Sequence, residues 1–143
     1  MNAASSQRSL PRSILAVIAG FLTVAVLSTV TDLCLHATGV FPPEGQPMAD
    51  GLWVLCMGYR VLFTIAGGFV AASLAPSRPM THAVVLGCIG TVVALLGVAS
   101  TWDKGPAYGP KWFPISLVVT GLPCTWLGGR LRERAAAGSP TTA

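Results

Sequence analysis

The chain is poor in charge and poorest in acids. It carries five Asp and Glu against nine Lys and Arg, and charged residues make up 10% of its 143 positions, against ~25% in ordinary soluble domains. A soluble domain of this length needs more polar surface than these side chains supply, so that class is excluded first. The familiar catalytic patterns are missing too. Cys34, Cys56, Cys88 and Cys124 include no C-x-x-C pair, which leaves a thioredoxin-like thiol relay without support. There is no H-E-x-x-H, no G-x-S-x-G elbow and no phosphate-binding glycine loop. No two carboxylates share an apolar run, which argues against a pump built on a mid-membrane acid pair. His36 and His82 fall at opposite ends of the expected helices and cannot share a metal ion. The reading is therefore of a chain with no catalytic set, no cofactor and no metal site, leaning away from an enzyme. The cysteines lie in or beside apolar segments, where a thiol usually acts as a small hydrophobe, and no Cys34–Cys56 disulfide is expected.

What is present is a set of long uncharged intervals. Arg12–Asp32, Arg78–Asp103 and Lys111–Arg130 enclose no charge, and Asp50–Arg78 encloses only Arg60. A membrane-spanning helix needs roughly 17–25 mainly apolar residues. The intervals therefore predict four spans, at about 13–35, 52–75, 79–100 and 112–130. The fold class is all-α: one integral membrane domain over residues 1–143, a bundle of four transmembrane helices with flexible ends at 1–11 and 134–143. The first apolar run exceeds the ~7–15 residues of a signal core and is followed by no clear cleavage site, so it reads as a retained helix.

The formal net charge of +4 invites a nucleic-acid reading, which its distribution removes. Arg8, Arg12, Arg78, Arg130, Arg132 and Arg134 fall on one side of the four-span layout. Asp32, Glu44, Asp50, Asp103, Lys104 and Lys111 fall on the other. An arginine and lysine excess marks the cytoplasmic side, so both termini are expected in the cytoplasm of a cell with its basic loops inward. The partners implied are the lipid bilayer and a second copy or another membrane protein, with no nucleic acid.

The connections agree with this layout. "HATGVFPPEGQPMADG" (His36–Gly51) is expected to be an irregular outer loop, with Asp50 as N-cap of the second helix. "PSRP" (Pro76–Pro79) is a tight inner turn whose prolines stop one helix and start the next. Trp53, Trp102, Trp112 and Trp126 sit near expected interfaces, the position of aromatic anchors. Small residues recur at helical spacing: Gly67/Ala71 and Gly68/Ala72 in the second helix, Ala83/Gly87 and Gly90/Ala94 in the third. In lipid, helices associate through close backbone approach, so this spacing predicts tight packing of the second helix on the third, or a homo-oligomeric interface. Pro123 is expected to kink the fourth helix. Trp53…Gly67-Gly68 and Trp112…Gly128-Gly129 also hint at an internal duplication.

Arg60 is the anomaly. An arginine at a helix centre costs ~2.5–3.5 kcal/mol on the insertion scale, which the Leu, Ile, Phe and Val of the same segment offset by roughly 3–6 kcal/mol. A charge at that cost usually faces the bundle and has a partner. At ~1.5 Å per residue, Asp32 lies ~28 Å above Ser13 and Arg60 ~22 Å above Ala75, both in the outer half. Helical side chains lean toward their own N-terminus. In an antiparallel hairpin, Asp32 and Arg60 therefore lean toward each other. His36 follows Asp32 by one turn, and Tyr59 adjoins Arg60. The candidate polar cluster is thus Asp32, His36, Tyr59 and Arg60, either a structural ion pair or an outward-facing site for an anion, a proton or a polar head group.

The stretch "YRVLFTIAGGFVAASLAPSRPMTHAVVLGCIG" (Tyr59–Gly90), with Tyr-Arg, Gly-Gly, Ala-Pro, His and Leu-Gly in that order, resembles a pattern of uncharacterised small four-span bacterial membrane proteins. The resemblance implies a bacterial cytoplasmic-membrane location and the four-helix layout, and it brings no activity or assigned site. The expected function is non-enzymatic packing with partners, lipids or itself. The alternative is a small transporter or channel subunit with its polar site around Arg60, Asp32 and His36.

Overall fold

The computed structural model describes residues 3–138. Four helices, α1 (Ala3–Ala37), α2 (Asp50–Leu74), α3 (Pro79–Thr101) and α4 (Trp112–Ala137), are joined by loops, the last holding a single 3-10 turn at Pro106–Tyr108. There is no strand among the described residues. The chain is a helical bundle in which α1, α2 and α3 are long and apolar enough to cross a membrane. Pro114, Pro123 and several glycines dilute the apolar run of α4, whose last turns carry Arg130, Arg132, Glu133 and Arg134.

The ends differ from expectation. α1 begins at Ala3, so residues 3–11 are helical, and α4 runs to Ala137. "RLRERAAA" consists of strong helix formers, and Pro11 lies inside α1 without ending it. Residues 1–2 and 139–143 of the expected flexible ends lie outside the described residues. Asp50 is the first residue of α2 and not its cap; Ala49 takes that position with no side-chain bond. The carboxylate still sits in the first turn, where it complements the helix dipole. α2 stops before Pro76 and α3 starts on Pro79, as the two prolines dictate.

The core is made of small residues. Ala16, Cys56, Ala71, Ala72 and Ala83 are buried, with Gly20, Gly67, Gly68, Gly87, Gly128 and Gly129. Phe41, Leu86 and Phe113 are the large apolar side chains buried with them, while many others point outward: Leu15, Leu22, Leu62, Val92, Leu96 and Val119 are all exposed. A water-soluble bundle has the opposite arrangement, and an apolar surface this continuous calls for a lipid or protein cover.

The glycines set which helices meet. A Cβ on Gly68 would strike the Thr125 backbone, and one on Gly128 would come within 3.0 Å of Gly68. α2 and α4 therefore cross backbone to backbone at their Gly-Gly pairs. They run parallel, because Trp53 and Phe113 also meet near their N-termini, with rings 4.8 Å apart. Gly67 faces the other way, against Gly20 and Val24 of α1. Gly87 packs on Leu122 and Thr125, and Gly129 on Ala83 and Met80, which joins α3 to α4 antiparallel. The expected main partnership of α2 with α3 is thus replaced: each packs principally on α4, and α2 also on α1. A short turn joins α2 to α3 without forcing their glycines together. Gly90, expected to pack, faces open space.

Candidate functional site

The polar cluster forms at the loop end of the α1–α2 hairpin. The Asp32 carboxylate on α1 accepts a hydrogen bond from Arg60 Nη2 on α2 at 2.6 Å, an ion pair with side chains 29% and 30% exposed. Its second oxygen accepts from the Tyr59 hydroxyl. Arg60 Nε donates to Cys56 Sγ at 3.3 Å, and the Tyr59 oxygen lies 3.1 Å from the same sulfur. Cys56 stands one turn before Tyr59 and Arg60, on the face those residues share. Asp32, Tyr59, Arg60 and Cys56 therefore form one connected network.

His36 stands beside this network without joining it through the carboxylate. Its Nδ1–H donates to the backbone carbonyl of Asp32 at 2.8 Å, and its ring meets Phe41 edge-on at 5.4 Å. Phe41, only 4% exposed, buries itself with Cys56 and Phe113 and brings the irregular loop down over the helix ends. Loop sequence has no periodicity to announce such an anchor. The loop and the helix ends enclose a cavity of about 250 Å³ lined by Asp32, His36, Glu44, Trp53 and Arg60. The arrangement pairs the single arginine of α2 within the chain and leaves both partners lining this cavity.

The remaining predicted residues separate by role. Gly67, Gly68, Ala71, Ala72, Ala83 and Gly87 are buried between helices, and Gly90 is not. Trp53 is half-buried against Phe113 and beneath Gly109. Trp102, Trp112 and Trp126 are exposed; Lys111 Nζ lies 4.5 Å from the Trp102 ring centre, and the Arg130 guanidinium 5.4 Å from that of Trp126. Sequence reasoning missed Cys56, Phe41 and Gly20. For Cys56 the signal was the spacing to Tyr59 and Arg60; for Gly20, the Ala16/Gly20 pair of small residues in α1.

No protein-family profile, curated protein or solved structure matches the chain.

Proposed function

We propose that this is a four-span protein of a bacterial cytoplasmic membrane, with both termini in the cytoplasm, and that it acts without catalysis by packing against lipids, a membrane-protein partner or a second copy. The observation that carries this reading is the inside-out distribution of side chains, with glycine and alanine at the helix crossings and leucine and valine facing out. In lipid, small residues supply the close approach that holds helices together. α4 is supported as the fourth span because Gly128 and Gly129 touch α2 and α3 while Ile115, Val119 and Leu127 remain exposed. The arginines gathered at Arg130–Arg134 and Arg78 support the inward termini.

Impermeant maleimide labelling of single cysteines at Ser5 and Thr142, in a chain otherwise free of cysteine, tests the topology. Both are expected to react only after cells are opened. Labelling of one from the outside overturns the four-span reading.

A second reading, a small transporter or channel subunit, is favoured by the outward cavity that Asp32, His36 and Arg60 line. It predicts that the Asp32→Asn/Arg60→Gln double variant keeps its fold in proteoliposomes and loses ion or solute flux. The packing reading predicts recovery of stability in the same variant and no flux to lose.

A further inference from the structure

α1 is held less evenly than the other helices. It packs along α2 and only grazes α3, which leaves a crevice between α1 and the α3–α4 pair. This cavity, about 280 Å³, is lined by Phe21 and Ser28 of α1, Arg60 and Thr64 of α2, Gly90 of α3 and Gly121 of α4, among others. It is a different space from the loop-covered cavity above, and Arg60 lines both.

Its two ends differ in chemistry. At ~1.5 Å per residue Ser28 lies ~22 Å above Ser13, level with Arg60, whereas Phe21 lies ~12 Å above it and marks the inner end with Leu86. The inner part is walled by hydrocarbon. A smaller apolar cavity of ~150 Å³ stays dry and takes up benzene-like ligands, so a crevice this apolar fills with hydrocarbon and not with water.

The outer end has an unmet need. Thr23, Thr64, Thr91, Thr120 and Thr125 each donate the hydroxyl to a carbonyl three or four residues earlier. Ser28 does not. It is 5% exposed, and its Oγ has no hydrogen-bond partner among the described residues. A buried hydroxyl without a partner is costly enough to be uncommon, and this one lines the crevice that Arg60 also lines. The guanidinium is already balanced by Asp32, so the site carries no excess charge with which to hold an ion. Ser28 also lies ~8 Å inside the outer edge of a ~30 Å hydrocarbon layer, too deep for a phosphate head group to follow.

We propose that the crevice holds a single-chain lipid whose small uncharged oxygen-bearing head accepts a hydrogen bond from Ser28 beside Arg60, its alkyl chain running inward between α1 and the α3–α4 pair. The class covers long-chain alcohols and protonated fatty acids. The assignment deepens the lipid-packing reading and rests on it. The cysteine labelling above tests that reading separately.

The test uses the full chain in nanodiscs with a diazirine-bearing hexadecanol probe, the labelled peptides being mapped by mass spectrometry. Label is expected within residues 21–29 and 86–94, with unlabelled hexadecanol competing and hexadecyl sulfate or hexadecyltrimethylammonium failing to compete. Gly90→Leu should abolish it by filling the crevice, since nothing lies within 4 Å of a Cβ at Gly90; Ala94→Leu repeats the test should that variant misfold. Ser28→Ala should weaken labelling about five-fold, the worth of one hydrogen bond, without lowering the melting temperature of the delipidated protein. The proposal is overturned by label spread evenly over the outward faces, label unchanged by Gly90→Leu, equal competition from the charged amphiphiles, or cross-links joining a second copy through the crevice. A diazirine phospholipid that labels the crevice where hexadecanol does not overturns it as well, as does a loss of lipid-free stability in Ser28→Ala.

Discussion

Taking away Arg60 strands a carboxylate, and taking away Asp32 strands a guanidinium; in both cases a charge is left in a poorly hydrated place. Breaking a fully buried pair costs about 3–5 kcal/mol and an exposed pair about 0–1. With both side chains near 30% exposed, Asp32→Asn and Arg60→Gln should each destabilise by about 2 kcal/mol, between these limits. The double variant should regain most of that loss. Denaturant titration in detergent, run as a double-mutant cycle, reads the coupling directly; additive losses would mean that the two side chains stabilise nothing together. Tyr59→Phe removes one of the carboxylate's two donors and should cost about 1–2 kcal/mol in the same assay. Arg60→Lys is not expected to be benign, because one ammonium cannot reproduce the fork that reaches Asp32 and Cys56 together. The meeting of Asp32 with Arg60 was legible from helix rise and side-chain lean alone. The part played by Cys56 was not, because a cysteine in an apolar helix reads as a hydrophobe until a donor is seen beside it. Ser28 was equally silent, since a helical serine ordinarily satisfies itself on its own backbone.

Between helices, glycine works by absence of bulk, so the damage from adding a methyl depends on what stands opposite. Gly68→Ala and Gly128→Ala drive a methyl into the backbone of the facing helix, and overpacking of this kind costs typically 1–3 kcal/mol. Gly90→Ala meets nothing and should stabilise α3 by about 0.5–1 kcal/mol through helix propensity. Thermal unfolding by circular dichroism in detergent should rank Gly90→Ala above wild type, with the other two below. A Gly90 variant that melts early would place an unseen partner on that face. Gly109 is a third case: its φ of +91° and the Trp53 ring beneath it both exclude a side chain, so Gly109→Ala should loosen the α3–α4 loop. Spacing identified which residues are small enough to pack and left their partners open. Gly67 and Gly68 adjoin in sequence, yet a ~100° turn per residue sends one to α1 and the other to α4. Helix order along the chain cannot reveal that division. Loop length did not reveal it either, since the four-residue reach from α2 to α3 is compatible with both helices packing principally on α4.

Across the whole molecule the outward apolar surface and the interior ion pair are two demands on the same helix. α2 has to insert while already carrying Arg60. A second arginine at Leu62, a position 64% exposed where no acid waits, would add a further ~2.5–3.5 kcal/mol. Two arginines together cost ~5–7 kcal/mol and use up the roughly 3–6 kcal/mol that the segment's apolar residues offset, so Leu62→Arg should shift α2 from inserted toward translocated in a glycosylation-mapping assay. Leu62→Ala should not. Unchanged insertion of the arginine variant would mean that neighbouring helices, and not the hydrocarbon, receive this segment. The separation of Asp32 from Arg60 also has a meaning in time. They are 28 residues apart, and at ~5–20 residues per second a ribosome takes roughly 1.5–6 s to deliver the second after the first. Throughout that interval Asp32 is without the guanidinium it pairs with. α1 is long and apolar enough to span on its own, so the pair closes only once the second half of the hairpin has arrived, and it joins two helices made seconds apart.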